Sequence, residues 1–504
     1  MESSGVYKEY KDKMEYKQAR DFIKETGTAG IIYGLDSIRS LMERLGNVQE
    51  QVPYVHVAGT NGKGSVCAML AQILMACGYR TGIYASPAVF EPEEIIKING
   101  EPVSKERFAG LIEKVQQACV SMEQDGLRRP TAFEVETAAA FCYFQEENCE
   151  IVLLEAGMGG SLDATNLIAH PFLSILTSVS IDHRAYLGDT LCEIAAAKCG
   201  IIKPGCPCVT APQQPQVLEV IKKAAAEKES ELWKADSSVI CNFAYDAQES
   251  RFETAGMVAA GEQEKEAGME SSAAAAGQEK TDSMESGMAA AGQEKAGIET
   301  ALKSEETYDT EKMNCLAADL HGIHGTLALT GACQRENLAC VLTAVSLLKG
   351  KGLRITSREV LEGLSKVRLP GRFERIRTQP EIYIDGAHNE GAALRLRETV
   401  QNCLAGRRVV LIIGVFADKE YKKVLKIMLP CAAAVFTVTP DHPRALDGRI
   451  LAQQAAEYHT AVSYVPGISQ AVRLAEEAAG TGGAVLAFGS FSYLKELKQA
   501  VKDE

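Results

Sequence analysis

The stretch Gly59–Ser65, GTNGKGS, constrains the fold more than any other part of the chain. It follows the short, apolar, β-branched run VPYVHVA (52–58). It precedes VCAMLAQILMAC (66–77), which holds neither Gly nor Pro and reads as a buried helix closed by Gly78. A strand that turns through glycines into a helix is what a phosphate loop requires. Glycines let backbone N–H groups converge on phosphate oxygens, and the helix N-terminus adds the positive end of its dipole. Lys63 is expected against the β- and γ-phosphates, and the Ser65 hydroxyl on a bound Mg2+. Gly64 separates the two, where most such loops have Lys followed directly by Ser or Thr.

Strand-like runs followed by helical ones recur along the whole chain. After the loop helix, 79–84 resumes strand character, and Ile151–Leu154 and LSILTSV (173–179) are two further buried-strand candidates. Alternation of this kind implies a mostly parallel sheet covered on both faces, with ligands at the carboxyl ends of its strands. The pattern breaks near Ser250. From Ala255 to about Lys303 the chain is Ala, Gly, Glu, Gln and Met, and AAAAGQEK is nearly repeated fifteen residues later as AAAGQEK. Such a composition cannot offset the entropy of ordering, so about 250–315 reads as a disordered or weakly helical surface insertion. Order returns near Leu320 with a helix over 335–348. LPGRFE (369–374) then marks a junction, and EIYIDGAHN, RRVVLIIGVF, AAVFTV and AVLAFGS open a second, smaller α/β domain of about 130 residues. A length of 504 residues agrees with two or three domains at ~150 residues each. The expected division is 1–367, a phosphate-loop domain carrying the insertion, and 368–504.

The net charge of −14 argues against nonspecific binding to nucleic acid or anionic membranes. Much of it is local: residues 253–311 hold 14 acidic residues and 4 lysines, so the remainder carries only about −4. The 15 cysteines form no C-x-x-C pair, which supports neither a zinc ribbon nor a disulfide framework. The charged start has no apolar core like that of a secretory signal, and no run approaches ~18 apolar residues. A reducing cytoplasm fits these features.

Several residues beyond the loop could carry chemistry. Glu155 follows IVLL directly and precedes a glycine-rich segment, a good position from which to hold a cation. His183 lies in SIDHRAYLG, Ser86 in YASPAV and Lys198 in AAAKCGIIKPG. Singly, these read as a satisfied histidine, a turn serine and a helix-end lysine completing the dipole. Together they follow successive strand-like segments, an order that would gather them at one edge of one sheet. Asp385 and His388 of DGAHN end another strand, where the plain reading is an Asx turn.

GTNGKGS, Ser86-Pro87, TAFE (131–134), LEAGMGGSLDATN, DHxxxLG (182–188), KCGIIKPG, LPGRFE and DGAHN occur in the order seen in folylpolyglutamate synthases. The chain closely resembles that branch of the Mur ligase superfamily, including bifunctional dihydrofolate synthases, over all but about 240–320. The resemblance implies an α/β fold, with a phosphate-loop Mur-ligase-like domain and a smaller Rossmann-like C-terminal domain. It implies an ATP-dependent ligase adding L-glutamate to the γ-carboxylate of a reduced folate through an acyl phosphate, with dihydropteroate as a second substrate of the same site. Lys63, His183 and Lys198 then match catalytic positions, and Lys198 one that the family carries as a carbamate. Asn61, Gly62, Lys63, Gly64, Ser65, Asn337, Arg372 and Asp385 match ATP contacts. Ser65, Ser86, Glu155, His183 and Lys198 match ligands of Mg2+, with two ions and an additional K+ expected. Thr131, Leu162, Asp163, Ala164 and His388 match substrate contacts. A cytoplasmic monomer that binds neither nucleic acid nor membrane is implied. Two other readings compete: another Mur-type amide ligase, and a phosphate-loop ATPase or binding module. Only 58 residues precede Gly59, short for the nucleotide-sugar domain of peptidoglycan ligases, and DGAHN with the Lys198 motif argues against a plain ATPase.

Overall fold

The computed structural model describes residues 14–27, 30, 32, 34–255 and 318–502. Its first unit is built on an eight-stranded sheet. In chain order the strands are β1 (Tyr54–Ala58), β2 (Thr81–Tyr84), β3 (Ile96–Ile98), β4 (Glu101–Pro102), β5 (Ile151–Glu155), β6 (Leu173–Leu176), β7 (Cys208–Thr210) and β8 (Leu232–Lys234). Their spatial order is β4-β3-β2-β5-β1-β6-β7-β8, with every pairing parallel except those made by β3 and β4. Every residue of β1 and β5 is buried, as strands covered on both faces must be. β5 and β6 flank β1, so successive crossovers leave to opposite sides of the glycine loop, where doubly wound sheets open a crevice.

The loop helix runs Lys63–Ala76. It is apolar nearly all round because it is sandwiched between the sheet and the helices Gln334–Gly350 and Ser357–Lys366. The opposite face of the sheet is covered by Tyr16–Gly27, Lys105–Gln124 and Ala132–Glu146.

A three-stranded antiparallel sheet corrects the expected edge of the insertion. β9 (Ile240–Tyr245) and β10 (Ser250–Thr254) form a hairpin, and β11 (His324–Leu327) pairs with β10. Residues 250–254, expected to open the insertion, are therefore strand, anchored by the buried Ser250 hydroxyl donating to Leu329 O at 2.8 Å. Strands with one exposed face carry polar residues there, which makes them resemble loop in composition. The alanine- and glutamate-rich repeats lie outside the described residues.

The C-terminal unit is a six-stranded sheet: β12 (Glu374–Thr378), β13 (Glu381–Asp385), β14 (Val409–Ile413), β15 (Ala434–Thr437), β16 (Val462–Tyr464) and β17 (Ala484–Phe488). The order is β12-β13-β17-β14-β15-β16, with only β12 antiparallel, and apolar clusters cover both faces. The chain is thus α/β throughout, and the two large sheets share no strand. Among the described residues no helix is long and apolar enough to cross a membrane, and the cysteines are free thiols.

Candidate active site

Register places the first groups. Val57 of β1 lies beside Glu155 of β5 on one side and Ile175 of β6 on the other. The Glu155 carboxylate therefore stands level with the start of the glycine loop. Gly59 and Gly62 have φ of 148° and 95°, and a Cβ on them would run into the Thr177 hydroxyl and the Asn337 amide oxygen respectively. Backbone freedom and close approach both demand glycine there. The loop is braced by the chain leaving β6: the Thr60 and Asn61 N–H groups donate to Ser178 O at 2.8 and 3.3 Å, and the Thr60 hydroxyl to Ser180 O at 3.0 Å.

Lys63 folds back over this loop, donating to Gly59 O at 3.2 Å and Thr60 O at 3.4 Å, with its ammonium 3.9 Å from Glu155. Lys198, at the end of the helix Leu191–Lys198, donates to the same Gly59 carbonyl at 2.8 Å and is only 4% exposed. Burial, reinforced by the charge of Lys63, lowers the Lys198 pKa to about 7. Burial raises the Glu155 pKa against the opposing pull of Lys63 and of Arg372 from the second unit. Ser65 is buried on the first turn of the loop helix, and Ser86 is half-buried just beyond β2.

His183 adopts the left-handed conformation, φ 52°, directly before the short helix Arg184–Leu187. Burial lowers its pKa to about 4, outweighing the carboxylate of Asp182. Its ring is therefore neutral near pH 7, leaving a lone pair for a cation. Burial pushes Asp182 up, but His388, Lys419 and His183 together hold its carboxyl well below the usual range.

From the C-terminal unit, the Arg372 guanidinium stacks on Phe491 with its centre 4.8 Å from the ring centroid. The Asp385 carboxylate accepts from the N–H groups of Phe373 and Ala387, both at 2.8 Å. His388 Nδ1 meets Gly386 O at 2.8 Å while Nε2 lies 3.4 Å from Asp182. Asn337 is buried beside Gly62.

The expected substrate residues are placed differently. Thr131 caps the helix Ala132–Glu146 in a reciprocal box with Glu134, its hydroxyl oxygen accepting the Glu134 N–H. Asp163 is buried and accepts from Met158 N, Thr165 N and the Thr165 hydroxyl at 2.7, 3.0 and 2.6 Å. Ala164 is buried, and Leu162 is 51% exposed on the same loop. The motifs did not single out Lys419, Asn389 or Thr177. Lys419 follows the strand of RRVVLIIGVF, and a cation shortly past a strand's carboxyl end was the one available signal.

The Mur ligase middle domain profile matches residues 57–253, and the Mur ligase glutamate ligase domain profile residues 371–491. The dihydrofolate synthase/folylpolyglutamate synthase of Bacillus subtilis (strain 168) is 30% identical over 97% of this chain and 99% of its own. The chain belongs to that family. The bifunctional enzyme of the same name from Mycobacterium tuberculosis is 29% identical, over 84% of this chain and 77% of its own. A crystal structure of Mycobacterium tuberculosis folylpolyglutamate synthase complexed with ADP and AMPPCP superposes with a TM-score of 0.76 at 25% identity, covering 97% of this chain and 98% of that one. Within the family frame, the glycine loop belongs to the middle domain, and Arg372 and Asp385 to the glutamate ligase domain.

Proposed function

We propose that this chain is an ATP-dependent ligase that joins L-glutamate to the γ-carboxylate of a reduced folate, and to dihydropteroate at the same site. The convergence of Lys63, Glu155, His183 and Lys198 on one sheet edge, with the charge of Arg372 reaching Glu155 from the second domain, carries the reading. A carboxylate is a poor electrophile. Its oxygen attacks the γ-phosphorus of ATP, the bond to ADP breaks, and an acyl phosphate forms. The glutamate amine then attacks the acyl carbon, loses a proton, and the C–O bond to phosphate breaks. Little covalent work falls to the protein, so positioning and charge neutralisation dominate.

In this reading Asn61, Gly62, Gly64 and the helix N-terminus cradle the phosphates, and Lys63 swings from its loop carbonyls to the β and γ groups. Asn337, Arg372 and Asp385 meet the nucleotide from the other side. Ser65, Ser86, Glu155, His183 and Lys198 would hold Mg2+, two ions in all, and K+ would be a further ion; a buried carboxylate and a neutral imidazole are donors suited to a hard cation. Bound Mg2+ supplies neutralisation of the transferred charge. Lys198, with its pKa lowered to about 7, has amine available to add to CO2, forming a C–N bond, releasing a proton and leaving an anionic oxygen ligand. Thr131, Leu162, Asp163 and Ala164 meet the pterin substrate, the first and third through groups also held by local hydrogen bonds, with His388 from the second domain. The enzyme works as a cytoplasmic monomer without nucleic acid or membrane.

The test is a substrate panel of ATP and glutamate with either dihydropteroate or tetrahydrofolate, read by product mass. Ligation with each predicts one added glutamyl residue and stoichiometric phosphate. Phosphate release that ignores both glutamate and the pterin would overturn the reading.

A further inference from the structure

Asp182 is the point where the two domains are tied. Its carboxylate has about four acceptor sites, and three hydrogen-bond donors and a close histidine ring surround it. The Oδ1 atom accepts the His183 N–H at 2.8 Å and the Lys419 ammonium at 2.6 Å. The Oδ2 atom accepts Asn389 Nδ2 at 3.1 Å and lies 3.4 Å from His388 Nε2. Three of the four partners come from the C-terminal domain. The fourth is the backbone of His183, a residue in a left-handed conformation that a non-glycine keeps only where its surroundings hold it. Both Asp182 and Lys419 side chains are 8% exposed, so the pair is shielded from solvent and each charge depends on the other. Asn389 also exchanges two hydrogen bonds of 3.1 Å with Asn61 of the glycine loop, so the same knot reaches the phosphate site.

We propose that Lys419 is a positioning residue for phosphoryl transfer. By occupying Asp182 only when the domains are closed, it locks the Asp182–His183 turn and makes the geometry of His183 depend on closure. A second contact braces the opposite rim. Phe90, on the loop that follows Ser86, packs into the apolar cluster of the C-terminal sheet, with Lys498 4.0 Å from its ring centroid, and Lys495 pairs with Glu91 at 2.8 Å. The C-terminal domain therefore grips both segments that flank the glycine loop, the one after Ser86 and the one at His183. The inference rests on the ligase reading, since it gives His183 a cation to hold.

The experiment uses the full chain with Lys419→Met and Lys419→Arg, Asp182→Asn, and the Lys419→Met/Asp182→Asn pair. For Lys419→Met, kcat falls about 100-fold while KM for ATP and glutamate stays within about threefold. Lys419→Arg restores most of the loss. The double variant is no worse than the poorer single one, because one interaction is removed twice. Independently of turnover, Mn2+ titrated into protein holding a non-hydrolysable ATP analogue, followed by electron paramagnetic resonance, binds at least about tenfold more weakly to Lys419→Met. Near-normal kcat and Mn2+ affinity in Lys419→Met, or additive effects in the double variant, would overturn the proposal. So would a rise confined to KM for glutamate, which would assign Lys419 to the amino acid. A wild-type chain that fails to ligate at all defeats the ligase reading instead, so the two failures are distinguishable.

Discussion

Two buried charge clusters sit within one cleft and are wired in opposite ways. Around the Gly59 carbonyl, two lysines share one acceptor, and burial drives Lys198 and Glu155 toward their neutral forms. Around Asp182, three donors hydrogen-bond the carboxylate with the His388 ring beside it, and the carboxyl is driven toward its charged form. Burial opposes ionisation in both places, so the difference is pairing. The first cluster groups charges that an anionic substrate and a cation would complete, whereas the second is complete by itself. That division separates chemistry from closure within the same few ångströms.

The largest expected effect is at the first cluster. Lys63→Ala should cut ligation by ~10³-fold or more, because no other side chain replaces its charge on the transferred phosphoryl group. A product-mass assay showing near-normal turnover would mean that the two clusters do not differ in the way described.

Lys198→Ala should lose ~10²-fold and regain part of it with added short carboxylic acids, which would place an oxygen anion where the proposed carbamate would stand. Intact-mass measurement in bicarbonate should find one CO2 on the wild type and none on the variant. Absence of both rescue and added mass would remove Lys198 from the metal set.

Stability sharpens the contrast. The folded-state pKa of Lys198 is about 7 against an unfolded value of 10.5, so between those values the unfolded chain binds more protons and stability rises with pH. The penalty of charging a buried lysine is full below about 7 and disappears above 10.5. Lys198→Met should therefore raise the melting temperature at pH 7 by a few degrees, with the gain shrinking as pH approaches 10. Asp182 contributes with the opposite sign, stabilising the folded chain, although the slope with pH is again positive. Its carboxyl is held below the unfolded value of 3.8, so its contribution is present above that value and lost only in stronger acid.

The smallest effect should come from deleting 256–303, which leaves the described strands β9, β10 and β11 intact. Turnover within about twofold of the full chain is expected, as for a tolerated surface insertion. A tenfold loss would tie the insertion to the active cleft.

Much of the site was readable before any coordinates. The glycine loop, Glu155, His183 and Asp385 announce themselves because each lies within a few residues of an apolar strand, and the parallel α/β pattern fixes which end of the sheet they occupy. The near edge of the insertion, expected at about 250, lies beyond β10, whose half-exposed strand resembles loop in composition and whose partner β11 returns only after the long intervening segment. The capping role of the Thr131 hydroxyl, which sets the start of the helix Ala132–Glu146, is an addition that the motif alone does not show. Lys419 carried too weak a signal to be chosen, since its importance comes from Asp182, more than two hundred residues earlier.

Local order along the chain was thus sufficient to determine the strand-then-helix alternation, the phosphate loop and the set of groups at the strand ends, because those depend on neighbours in sequence. Which of those groups became neutral and which became ionised, and which side chains tie one domain to the other, was decided only by folding. Burial and charge pairing are set by distances in space, and residues far apart in the chain supply them.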